Sequence, residues 1–149
     1  MPISKIIEAA RARAQEHGLP YFGALLPSEA YALLQENTQA KLVDVRTRAE
    51  WDYVGRVPGA TQIEWQTYPG GQPNPGFLAA LLAQVDRDVP VLFLCRSGAR
   101  SHAAAAAATA NGYSHAFNVL EGYEGDRDQH GHRNSIGGWR AAGLPWVQS

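Results

Sequence analysis

Pro90-Val91-Leu92-Phe93-Leu94-Cys95-Arg96-Ser97-Gly98-Ala99-Arg100-Ser101 joins an uninterrupted apolar run to a short polar loop. A continuous apolar run bounded by turn signals is the form of a strand buried on both faces, as in a parallel sheet covered by helices. After the loop, read as Cys95 to Arg100, come Ser101, His102 and the alanines Ala103 to Ala108, closed by the C-cap pair Asn111-Gly112. Alanine favours helix, and its small side chain lets that helix lie close to a sheet. Cys95 therefore stands where a buried strand ends and a helix begins.

The alternation continues outward in both directions. Ile3, Ile6, Ile7, Ala10 and Ala14 recur at helical spacing up to His17-Gly18, and Pro27 with Glu29 opens a second helix to about Asn37. Lys41 to Val45 reads as a strand, and Thr47-x-x-Glu50 is a capping box that starts a short helix through Trp51 and Tyr53. Val57-Pro58-Gly59 turns the chain into a strand at Ala60 to Ile63. Tyr68 to Gly76 is a loop in which Asn74 and Pro75 take the N-cap and N1 positions of a helix carrying Phe77, Leu78, Leu81 and Leu82. Ala116 to Leu120 is the last strand, and the polar stretch Glu121 to Gly138 separates it from a short terminal helix around Trp139 to Ala142. Alternating strands and helices predict an α/β sandwich with a mainly parallel central sheet.

With 149 residues and 45% apolar content, the chain suits one core and leaves no room for a second full domain. The expected layout is an amphipathic helix within residues 1–20 packed on a domain of residues 21–149. A formal net charge of -1 gives no global attraction to nucleic acid or to an anionic membrane, so anion recognition has to be local. Lys5, Glu8, Arg11 and Arg13 break the apolar pattern a signal peptide needs, and the expectation is a soluble, cytoplasmic protein. One cysteine can form neither an intramolecular disulfide nor a cysteine-rich zinc site. Its thiol is a buried small hydrophobe or a reactive group.

Position decides between those two. Ligands of open parallel sheets bind beyond the carboxyl ends of the strands, where a short loop and a helix N-terminus direct backbone N–H groups at one point. An ordinary thiol is mostly protonated at neutral pH, and such amides, with Arg96 and Arg100 beside Cys95, favour the thiolate.

The loop Cys95 to Ser101 after an apolar strand resembles the active-site loop of the rhodanese family. Asp44-Val45-Arg46 with Glu50-Trp51, Val57-Pro58-Gly59-Ala60, and the closing Gly138-Trp139-x-x-Ala142-Gly143-Leu144-Pro145 resemble further family motifs, together spanning about residues 42–146. The resemblance implies a three-layer sandwich around a five-stranded, mainly parallel sheet with helices on both faces. It also implies a sulfurtransferase without cofactor or metal, in which Cys95 is the nucleophile and carries sulfur as a persulfide. Backbone amides from Arg96, Ser97, Gly98, Ala99, Arg100 and Ser101 would cradle the outer sulfur, and the two arginines would draw an anionic donor such as thiosulfate. The acceptor would be cyanide, a thiol or a sulfur-accepting protein. Many family members carry His where this chain has Arg56.

Asp44 and Arg46 either border the site or are structural, Arg46 then pairing with Glu50. Phosphatases of the same fold place five residues between Cys and Arg, whereas four separate Cys95 from Arg100, a shorter cradle better suited to sulfur. A sulfur-relay module without turnover is the other alternative. Asp126, Asp128, His130 and His132 lack the spacing of a metal site and read as a solvated loop. The stretch Glu121 to Gly138, with Tyr123 and Trp139, is expected to wall the mouth of the site. His102 is not needed as a base, because sulfite leaves readily.

Overall fold

A computed structural model describes residues 2–148. The chain opens with α1 (Ile3–Glu16), whose Ile6, Ala10 and Ala14 face inward at the expected spacing and whose end is set by His17 and a left-handed Gly18. β1 (Gly23–Leu25) follows, a strand without alternation in the sequence, and then α2 (Pro27–Glu36), with Pro27 at its first position. β2 (Lys41–Asp44) leads to α3 (Arg48–Tyr53), where Thr47 and Glu50 form the capping box in full. β3 (Thr61–Gln62), α4 (Phe77–Gln84), β4 (Val91–Leu94), α5 (Ala99–Ala110) and β5 (Ala116–Val119) complete the order.

Five parallel strands lie in the order β1-β5-β4-β2-β3. Strand alternation divides the core between the two faces. Val91, Phe93 and Cys95 join Phe77, Leu81, Ala104 and Ala108 of α4 and α5 on one side. Leu92 and Leu94 join Ile6, Ala10, Ala30 and Leu33 of α1 and α2 on the other. Helices thus cover both faces, and β4 is buried along its whole length.

Two predicted helices change. α4 begins at Phe77, not Pro75, because Asn74 spends its side chain and carbonyl on a turn, accepting from Gly76 N and Phe77 N at 3.0 and 3.2 Å. Trp139 to Ala142 forms a turn rather than a helix, since Gly138 and Gly143 take φ of +105° and +77° on either side and leave room for one turn only. No helix among the described residues is long and apolar enough to cross a membrane.

Candidate active site

The chain leaves β2 toward one edge of the sheet through β3, then returns to β4 and goes on to β5 at the other side. The carboxyl ends of β2 and β4 therefore flank the point where strand order reverses, the usual crevice of such sheets. Cys95 follows β4 there, buried at 1% exposure.

The loop after it is shorter than the sequence suggested. α5 begins at Ala99, so Arg100 and Ser101 stand in its first turn and only Cys95 to Gly98 lie outside the helix. Gly98 caps α5 with φ +111°, a conformation that strains any other residue. A Cβ there would meet nothing closer than 3.8 Å, so the demand is conformational and not steric. This geometry turns Gly98 N–H onto Cys95 Sγ at 3.1 Å. Ser101 Oγ, fully buried, lies 3.2 Å from the same sulfur. Ser97 is half-buried in the loop, and Ala99 is exposed at the helix start.

The two loop arginines differ. Arg100 makes a two-pronged bond with Glu50, Nη1 to Oε1 at 2.7 Å and Nη2 to Oε2 at 3.0 Å. Burial pushes the Glu50 carboxyl up, but the Arg100 bond and charge and the Thr47 N–H outweigh it and hold Glu50 below the ordinary carboxylate range. Burial likewise opposes the Arg100 charge, and Glu50 overcomes it. Arg96, exposed, makes no side-chain hydrogen bond or ion pair among the described residues. Both arginines line a cavity of about 680 Å³ together with Glu50, Tyr53, Tyr68 and Gln66. Cys95 lies beneath that lining and adds no surface to it.

Asp44 and Arg46 stand behind the site, both at 0% exposure and absent from the cavity wall. Arg46 pairs with Asp44 at 2.7 Å, not with Glu50, whose carboxylate is taken by Arg100. Tyr123 and Trp139 do not wall the mouth: both are wholly buried in the core beneath α1 and α2. Their segment reaches the cavity through Glu124 and Arg133 instead. It is stapled to the loop by Tyr123 N to Cys95 O at 2.8 Å and Glu124 N to Arg96 O at 2.9 Å. Gly122 permits that approach, since a Cβ there would fall 2.5 Å from Cys95 O and Arg96 C. In the Asp/His stretch, Asp128 accepts the backbone N–H groups of His130 and His132, both at 2.9 Å, which makes a turn.

Two residues of the sulfur's surroundings carried little sequence signal. Asn118 of β5 bonds Ser101 Oγ at 2.6 Å and Tyr21 Oη at 3.3 Å, and Tyr21 Oη bonds His102 Nδ1 at 2.8 Å. A lone amide in the apolar strand Ala116–Val119 was the available hint, because a buried amide needs partners.

Comparison with known proteins agrees with this construction. The model of the family described as Rhodanese-like domain matches residues 26–129. An uncharacterized protein of Rickettsia rickettsii is 36% identical over 121 residues, 80% of this chain and 92% of its own length. The thiosulfate sulfurtransferase GlpE of Actinobacillus succinogenes is 29% identical, covering 83% of this chain and 89% of that one. The crystal structure of Rv0390 from M. tuberculosis superposes with a TM-score of 0.81 at 46% identity, over 87% of this chain and 99% of that chain. A strand-end cysteine under a helix N-terminus, in a sheet of this order and with this match over most of its length, places the chain in the rhodanese-like domain family.

Proposed function

We propose that the chain is a sulfurtransferase that takes a sulfane sulfur from thiosulfate or a similar anionic donor onto Cys95 and passes it to a thiophilic acceptor, cyanide or a thiol. The observation that supports it best is the Gly98 N–H aimed at Sγ at 3.1 Å, with Ser101 Oγ 3.2 Å from the same sulfur, at the end of a buried strand. A fixed N–H aimed at sulfur stabilises negative charge there without reorganisation.

The Cys95 thiolate attacks the outer sulfur of thiosulfate, an S–S bond forms, the sulfur–sulfur bond of the donor breaks, and sulfite leaves with the electron pair. The product is a Cys95 persulfide anion, and the total charge is unchanged. An acceptor nucleophile then attacks the outer sulfur and returns the thiolate. Arg96, which lines the cavity and has no side-chain hydrogen bond or ion pair among the described residues, is suited to draw the dianionic donor. Arg100 is already neutralised by Glu50 and is suited to shape the wall rather than to add charge.

Intact mass after incubation with thiosulfate tests the reading. The native chain gains about 32 Da, one sulfur, and Cys95→Ala gains nothing. An unshifted native mass sinks it. Release of phosphate from an aryl phosphate points to the phosphatase chemistry instead. Loading without turnover on small acceptors identifies a relay to a partner protein.

A further inference from the structure

Ser101 has one hydroxyl hydrogen and two neighbours that want it. The amide of Asn118 is oriented by its surroundings: Nδ2 donates to the Gly98 carbonyl at 3.2 Å, a group that can only accept, and to Tyr21 Oη at 3.3 Å. Its Oδ1 therefore faces Ser101, and the 2.6 Å contact has Ser101 Oγ as donor. With that hydrogen committed, Oγ is an acceptor toward Cys95 Sγ at 3.2 Å, an arrangement that fits a thiol donating S–H to Oγ.

Ionisation of Cys95 removes the hydrogen between sulfur and Oγ. Either two acceptors then face one another, or the Ser101 hydroxyl turns to the sulfur and abandons Asn118 Oδ1. Asn118 is 3% exposed and its Oδ1 is turned toward buried Ser101, away from the bonds its Nδ2 makes, so the lost bond is poorly replaced, and a buried carbonyl without a donor is costly. A persulfide escapes the conflict. Its charge lies on the outer sulfur, Sγ is then bonded to carbon and sulfur and accepts weakly, and Ser101 keeps its hydrogen on Asn118.

We propose that Asn118 is a positioning residue which, by holding the Ser101 hydroxyl hydrogen, disfavours the bare Cys95 thiolate relative to the sulfur-loaded form and so biases the site toward carrying sulfur. The loading half of this rests on the persulfide reading; the competition for the hydrogen does not. Charged and titratable groups around the sulfur are Arg96, Arg100 with Glu50, the Asp44–Arg46 pair behind, and Tyr21 with His102 beyond Asn118. An apolar substitution at Asn118 adds or removes no charge among them, although it also gives up the Nδ2 bonds to Tyr21 Oη and the Gly98 carbonyl, a loss that the Ser101→Ala background keeps in the comparison.

Asn118→Leu removes the claim on the hydrogen at similar size, and Asn118→Ala does so without added bulk should the leucine not fold. Alkylation of Cys95 by iodoacetamide, followed from about pH 5 to about pH 9, reads the thiolate whether or not sulfur is ever carried. The variant reacts about tenfold faster at neutral pH, its rate profile displaced toward lower pH, and its equilibrium loading from a thiosulfate–sulfite mixture falls by a similar factor. In a Ser101→Ala background the Asn118 substitutions make no difference. Unchanged or slower alkylation in folded Asn118→Leu overturns the proposal, as does an effect that persists without Ser101. Alkylation differences in a protein that never gains sulfur sink the persulfide reading and the loading bias together, and leave the hydrogen competition standing.

Discussion

Arg46 and Arg100 each close on a carboxylate at 2.7 Å, yet the Asp44–Arg46 pair is wholly buried while the Glu50–Arg100 pair keeps 19% and 20% of its side chains exposed. The buried pair is local, two residues apart on the end of β2, and its remaining contacts are all protein. Arg46 Nη2 also donates to Gly55 O at 2.8 Å, and its guanidinium lies 4.1 Å over the Tyr123 ring. It thereby ties the strand end to the turn after α3 and to the segment after β5. The half-buried pair joins residues 50 positions apart and faces the cavity. Identical chemistry is shut off from solvent where every partner is internal, and keeps one side on the cavity where the pair is partly exposed.

Breaking the buried pair has the largest expected effect. Arg46→Met leaves the buried Asp44 carboxyl without its cation, and denaturant unfolding should show a loss of about 3–5 kcal/mol. A loss under about 1 kcal/mol would mean that water reaches the pair and that it behaves like its exposed counterpart.

The cavity-facing cations give the next effect, in kinetics and not in stability. Arg96→Ala should raise KM for thiosulfate about tenfold, the value of one lost charge-assisted contact, with stability within about 0.5 kcal/mol of the native chain. Glu50→Gln should do the reverse, lowering KM a few-fold by releasing Arg100 as a second cation. Steady-state rates against thiosulfate concentration check both. Unchanged KM in Glu50→Gln would show that Arg100 is held by its other neighbours and that the pair is structural after all.

Legibility in the sequence followed the range of the interactions. The capping box at Thr47 and Glu50 and the buried run Val91–Leu94 are local patterns that stand where they were expected, and the loop after Cys95 does so at its start only, ending at Gly98 and not at Arg100. β1 escaped notice because Gly23, Ala24 and Leu25 are all buried and show no alternation; only their pairing with Phe117 to Val119 makes them a strand. Glu50 was legible as a cap but not as the partner of Arg100, which comes from another layer and is brought beside it by the sheet. Gly122 reads as one glycine among many until the loop it must pass at 2.5 Å is in place.

The smallest effect separates the ion pair of Glu50 from its capping role. In the folded chain Glu50 lies below the ordinary carboxylate range: burial alone pushes it up, and Arg100 and Thr47 more than offset that. A carboxyl depressed on folding contributes stability that is present in full above its unfolded value, near 4.3, and is lost as pH falls through the folded value. Arg100 stays charged across that range, so Glu50 alone titrates. The Gln amide oxygen still accepts from Thr47 N–H, bonded to Glu50 Oε1 at 3.1 Å in the native chain, so Glu50→Gln keeps the capping box and loses the charge together with the Oε2 acceptor of Arg100 Nη2. Unfolding free energies of the two proteins from urea titration should therefore differ by an amount, up to about 1 kcal/mol, that is constant from neutral pH to about pH 5 and shrinks below about pH 4. A difference that does not shrink at all as pH falls below the unfolded value would assign the stabilisation to hydrogen-bond geometry that Gln fails to reproduce.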